Sequence, residues 1–128
     1  MILIVDDQEN MCWILSKILS KEGFSVKTAH TAKEALSIAD TSEISAAVLD
    51  FRLPDGNGLD LFLALKKRNG NLLGVLITSY GSKELREEAL ALGFIAFFDK
   101  PFDNHALITA LKGALEKKGG QNNEMGRN

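Results

Sequence analysis

Short runs of branched apolar residues alternate along the chain with longer stretches in which apolar side chains return every three or four positions. The short runs fit buried strands and the longer spacing fits one face of a helix, so the alternation predicts a parallel α/β sheet. The first run is Ile2-Leu3-Ile4-Val5; Met11, Ile14, Leu15, Ile18 and Leu19 follow at helical spacing, with Gly23 as the stop. Phe24 to Ala29 reads as a second strand, in which Lys27 and Thr28 point to an edge position or one wet face. Thr31-Ala32-Lys33-Glu34 is a capping box, opening a helix that runs to about Asp40. Ala46-Ala47-Val48-Leu49 forms the third strand and ends on Asp50. Pro54-Asp55-Gly56-Asn57-Gly58 is turn chemistry, after which Leu59, Leu61, Phe62 and Leu65 restart a helix. Gly74-Val75-Leu76-Ile77 is the fourth strand, and Ser82 caps a helix carrying Leu85, Ala89, Leu90 and Leu92 that stops at Gly93. Phe94 to Phe98 is the fifth strand. Asp103 caps a last helix with Leu107, Ile108, Leu111 and Leu115, which fades near Lys118. One domain over 1–118 is therefore expected, with 119–128, polar and without apolar period, as a flexible tail or the start of a linker.

Crossovers between parallel strands are right-handed, which puts helices on both faces of such a sheet. A doubly wound sheet of strand order 2-1-3-4-5 binds its ligands at the carboxyl ends of the strands, beside the point where strand order reverses. Four polar features fall at that edge: Asp6-Asp7, Asp50, Thr78 and Lys100, with gaps of 43, 28 and 22 residues from Asp7 to Asp50, Thr78 and Lys100 in turn. Singly, each has an ordinary reading as a turn, a cap or a solvated strand end. Their convergence from four separate segments is what argues for chemistry.

Composition narrows the class of that chemistry. With 45% hydrophobic and 25% charged residues the chain is of ordinary globular make-up. No stretch approaches the ~20 apolar residues a membrane helix needs, and the start lacks a basic segment ahead of an apolar one, so a soluble cytoplasmic protein is expected. A single cysteine, Cys12, and two histidines exclude an internal disulfide and a Cys/His metal cluster. Any metal must be held by oxygen. A net charge of −2, a pI of about 5.7 and the lack of a basic run argue against nucleic-acid binding.

Three carboxylates brought together repel, and a bound divalent cation relieves the repulsion. An all-oxygen acidic cluster suits Mg²⁺, which keeps several waters and is often completed by a phosphate oxygen. The site therefore predicts a phosphoryl group, with Asp50 as the nucleophile that forms an acyl phosphate, Lys100 as a point charge for the anion and Thr78 as a hydroxyl donor to a phosphoryl oxygen.

With those residues in view, the chain resembles the receiver domains of two-component response regulators, over about Ile2 to Lys117. Ile4-Val5-Asp6-Asp7 resembles that family's acidic pair, Asp50-Phe51-Arg52-Leu53-Pro54 with Gly58 its phosphoacceptor loop, Thr78-Ser79 its hydroxyl switch, and Lys100-Pro101-Phe102 its closing motif. The resemblance implies a flavodoxin-like doubly wound fold, and Mg²⁺ held by Asp7, Asp50 and the backbone carbonyl of Arg52, with Asp6 acting through water. It implies a cis Lys100-Pro101 peptide, and places Phe97 at a switch aromatic, here without a hydroxyl and so acting by packing alone. Phe98, of opposite strand parity, is read as the better core residue of the two. Arg52 and Tyr80 fall at positions that tune acyl-phosphate lifetime in that family. Trp13 lies off the apolar stripe of the first helix and is expected to be partly exposed.

The implied phosphodonor is a histidine kinase or phosphotransfer protein. The implied output runs through the surface of helix four, strand five and helix five, toward an output domain or a second copy. Two rivals fail on spacing. Phosphohydrolases resembling the haloacid dehalogenases need an Asp-x-Asp arrangement after the first strand, whereas Asp6 and Asp7 are adjacent. A dinucleotide module needs a glycine-rich loop there, and Gln8-Glu9-Asn10 is not one.

Overall fold

The computed structural model describes residues 1–127, with side chains as far as Lys117. Five parallel strands, β1 (Ile2–Val5), β2 (Val26–Ala29), β3 (Ala46–Asp50), β4 (Leu73–Thr78) and β5 (Ala96–Asp99), form one sheet in the order β2-β1-β3-β4-β5. Helices α1 (Glu9–Lys21), α2 (Ala32–Thr41), α3 (Gly58–Arg68), α4 (Lys83–Leu92) and α5 (Asn104–Arg127) connect and follow them. A small antiparallel hairpin, Arg52–Leu53 against Gly56–Asn57, lies between β3 and α3. No helix among the described residues is long and apolar enough to cross a membrane.

The central strands carry apolar residues at both parities because both sheet faces are covered. Leu3, Val5, Ala47, Leu49 and Leu76 pack under α2, α3 and α4, whereas Ile2, Ile4, Ala46, Val48, Val75 and Ile77 pack under α1 and α5. Burying one such side chain contributes about 1.5–3 kcal/mol, so these strands anchor the domain. β2, with Lys27 exposed, is an edge strand as expected.

Helix ends follow the expected side chains. Thr31 accepts from the Glu34 amide, Ser82 from the Leu85 amide and Asp103 from the His105 amide. At the close of α4, Gly93 takes φ of 108°, a left-handed conformation that a Cβ disfavours. The last helix extends to Arg127, past its last periodic apolar residue, Leu115, and past the end expected near Lys118. The tail or linker expected at 119–128 involves side chains outside the described residues.

The reading of the Phe97–Phe98 pair is corrected. Phe97 is buried, at 6% exposure, in the cluster under α2, α3 and α4. Phe98 points to the α1 and α5 face, where it is half-buried with its ring 5.7 Å from that of Phe102. Parity does separate the two rings, but in a sheet covered on both sides it does not choose which face is better filled.

Candidate functional site

Sheet register builds the site. Val5 pairs with Leu49, Asp50 with Ile77 and Thr78 with Asp99, so the residues at or just beyond these strand ends form one row. Asp6, Asp50, Thr78 and Lys100 are in that row, and Asp7 follows Asp6 on the exposed side. The β3–α3 connection is held close beneath. Phe51 donates its amide to Ile77 O at 2.8 Å, and Gly58 donates to Phe51 O at 2.8 Å. A Cβ on Gly58 would lie 2.6 Å from the Asp50 carbonyl oxygen and 2.8 Å from Leu76 Cδ1, so only glycine lets α3 start this near the strand.

Lys100 crosses the edge and joins three loops. Its Nζ donates to Asp6 Oδ2 at 2.7 Å, Asp50 Oδ2 at 3.1 Å and Gln8 Oε1 at 3.3 Å. Its peptide bond to Pro101 is cis, as expected, and its backbone amide donates to Thr78 O at 2.7 Å. Asp6 and Thr78 are fully buried and Asp50 is 6% exposed. Carboxylate oxygens of Asp6, Asp7 and Asp50 lie within 4.8 Å of one another.

The balance of charge decides what this cluster wants. Burial first, and then the Asp6 carboxylate, push the Asp50 pKa up to about 6, against the opposing pull of Lys100. Burial alone would lower the Lys100 pKa, but hydrogen bonding and charge from Asp6, with Asp50 adding to both, carry it upward. At neutral pH Lys100 is charged and Asp50 ionised. Three carboxylates against one ammonium then leave two negative charges in an all-oxygen donor set, a fit for a divalent cation such as Mg²⁺.

A polar cleft of about 230 Å³ opens onto the cluster, lined by Asp7, Gln8, Asp50, Arg52, Ser79, Tyr80 and Lys100. The Arg52 guanidinium lies over the Tyr80 ring at 3.9 Å from its centroid. Thr78 is not among the lining residues; its Oγ1 accepts from the Tyr80 amide at 3.0 Å. Phe97 is away from the cleft, with the Arg86 guanidinium 5.3 Å from its ring centre. Trp13 is 61% exposed, as expected.

Two side chains in the loops that bear this site were read from the sequence only as turn or spacer. Gln8 contacts Lys100, and its amide donates to Asp6 Oδ1 at 2.9 Å. This i to i+2 bond is an Asx turn, which the Asp6–Gln8 spacing could have signalled. Asp55, in the turn of the hairpin, accepts from the amides of Ala32 and Lys33 at 2.8 and 3.0 Å. No local pattern announces a partner so distant in sequence.

Comparison with known proteins agrees with this architecture. The profile of the response regulator receiver domain matches residues 2–112. The photosynthetic apparatus regulatory protein RegA of Cereibacter sphaeroides is 36% identical over 110 residues, covering 86% of this chain and 60% of RegA. Sporulation initiation phosphotransferase F of Bacillus subtilis is 31% identical over 117 residues, covering 91% of this chain and 94% of that protein. A crystal structure of a CheY-like response regulator receiver domain protein from Methanospirillum hungatei superposes with a TM-score of 0.87 at 30% identity, covering 94% of this chain and 96% of that one. The chain belongs to the response regulator receiver family, whose members are signalling switches rather than turnover enzymes. It spans between 24% and 60% of the length of the first two curated relatives it matches.

Proposed function

We propose that the chain is a phosphorylation switch that takes a phosphoryl group on Asp50 and loses it by hydrolysis. The observation that carries this reading is Lys100 Nζ held at 2.7 and 3.1 Å from the carboxylates of Asp6 and Asp50, beside the polar cleft that Asp50 and Lys100 line. An ionised Asp50 oxygen attacks phosphorus and forms an O–P bond as the P–N bond of a phosphohistidine breaks. The departing imidazole nitrogen keeps the bonding pair. Lys100 offsets negative charge on the incoming oxygens. Thr78 Oγ1, already accepting from the Tyr80 amide, keeps its own proton to donate to a phosphoryl oxygen.

Asp7, Asp50 and the Arg52 carbonyl would hold Mg²⁺, with Asp6 acting through water, and the bound ion supplies neutralisation of phosphoryl oxygens. The donor is a histidine kinase or phosphotransfer protein. The signal leaves through α4, β5 and α5, with Thr78 and Phe97 as its relay, toward an output domain or a second copy.

The test is incubation with acetyl phosphate and Mg²⁺, read by intact mass. One hydroxylamine-labile phosphoryl group is expected. Equal labelling of Asp50→Asn would refute the assignment.

A further inference from the structure

The first three amides of α2 are all satisfied by side chains, and two of the acceptors come from outside the helix. Thr31 Oγ1 takes the Glu34 amide from within the α2 cap. Asp55 Oδ1 takes Ala32 N at 2.8 Å and Oδ2 takes Lys33 N at 3.0 Å. A carboxylate astride two orphan amides at the positive end of a helix is a favourable pairing, and it holds the Asp55 pKa down through those backbone bonds.

What Asp55 ties down is the loop that carries the phosphoacceptor. Arg52 precedes it by three residues, with its amide at 3.3 Å from Asp50 Oδ1. Leu53 between them is buried in the core, and Pro54 fixes its own φ, so little slack separates the clamp from Arg52. The far arm of the hairpin is fixed by Asn57, which accepts the Asp60 amide at 2.9 Å. Among the described residues, it is the Asp55 carboxylate that ties the turn between the two arms to α2.

We infer that Asp55 is a positioning residue for the phosphoacceptor loop: it clamps the loop to the start of α2, so that cation affinity at Asp7, Asp50 and the Arg52 carbonyl depends on it. By linkage, cation binding must in turn protect the Ala32 and Lys33 amides. The inference rests on the metal reading given under Proposed function.

The experiment uses the full chain and MgCl₂ alone. Mg²⁺ affinity is measured by calorimetry, and exchange at the Ala32 and Lys33 amides by NMR, in the parent, Asp55→Ala, Asp55→Asn and Asp7→Asn. Asp55→Ala should bind Mg²⁺ roughly three- to tenfold more weakly, and its two amides should exchange fast whether or not Mg²⁺ is present. In the parent the same amides should slow on saturation by a similar factor. Asp55→Asn, with one acceptor oxygen, should fall between, and it carries the test if the alanine variant unfolds. Should Asp7→Asn lose affinity while both Asp55 variants match the parent within twofold, the clamp is refuted and the metal reading stands. Unchanged affinity in Asp7→Asn refutes the metal reading, and the clamp proposal falls with it.

Discussion

The guanidinium of Arg52 lies 3.9 Å from the centre of the Tyr80 ring, although the two residues come from different loops that line the cleft. Both side chains are exposed, and a stack of this kind at an exposed site contributes about 0.5–1 kcal/mol. The pair lines the same cleft as Asp50, where it is expected to narrow the approach of water. Arg52→Ala and Tyr80→Ala should each shorten the life of the phosphorylated form by roughly two- to fivefold. Because each breaks the same contact, the double variant should decay no faster than the quicker single one. Decay followed by intact mass after removal of the phosphodonor checks this; additive effects would show that the stack is not the barrier.

Metal-free stability should carry opposite pH signatures from two aspartates. Asp50 has a folded-state pKa of about 6 against an ordinary 3.8. The folded form therefore binds the proton more tightly, and its contribution to stability is full below 3.8 and is lost as pH rises through about 6. Asp50→Asn should remove that fall and stabilise the metal-free protein at neutral pH. For Asp55 the pKa is lowered, so its contribution is present above the ordinary value and is lost as pH falls through the folded-state value. Urea denaturation from pH 3 to 8 without metal resolves both; a parent whose stability does not fall between pH 4 and 6.5 relative to Asp50→Asn would contradict the first.

Gly58→Ala should be destabilising, although glycine at a helix start is otherwise readily replaced. The added Cβ meets the Asp50 backbone oxygen at 2.6 Å, and that oxygen cannot retreat without moving Asp50 itself. Overpacking of this kind costs about 1–3 kcal/mol. Thermal unfolding should show the loss, and labelling of Asp50 by acetyl phosphate should slow in the variant that remains folded.

The strand order and the row of Asp6, Asp50, Thr78 and Lys100 were legible because β1, β3, β4 and β5 are short, mainly apolar runs that end on a polar residue or are followed by one. Parallel register then brings those ends together. Three features were not legible, each for its own reason. Phe97 and Phe98 were misranked because strand parity assigns a face but not the depth of the packing on it. Asp55 reads as turn chemistry, since its acceptor role depends on amides 23 and 22 residues earlier in the chain. The placement of Ser79 and Tyr80, rather than Thr78, on the cleft wall depends on how the chain turns after β4. That turn is held by the Tyr80 amide on Thr78 Oγ1, a bond no composition rule reports.

That bond leads to the last prediction. Thr78 is fully buried, its carbonyl takes the Lys100 amide at 2.7 Å, and its hydroxyl oxygen takes the Tyr80 amide at 3.0 Å. Its hydroxyl proton is left to donate, so a phosphoryl oxygen on Asp50 can draw on Thr78 and pull the start of the Tyr80 loop with it. Phe97 pairs with Leu76 in the neighbouring strand and lies under Arg86 of α4, so movement at the end of β4 is expected to reach that helix through the ring. One charge-assisted hydrogen bond contributes about 1.5–3 kcal/mol, which moves a two-state population by roughly tenfold to a hundredfold. Thr78→Ala should therefore accept the phosphoryl group on Asp50 yet show a smaller response at residues 82–110. Phe97→Ala should leave the chemistry largely intact and alter the same response. Amide NMR with and without beryllofluoride, which mimics the phosphoryl group, makes the comparison. Shifts over 82–110 equal to those of the parent in both variants would mean that Thr78 and Phe97 do not carry the signal.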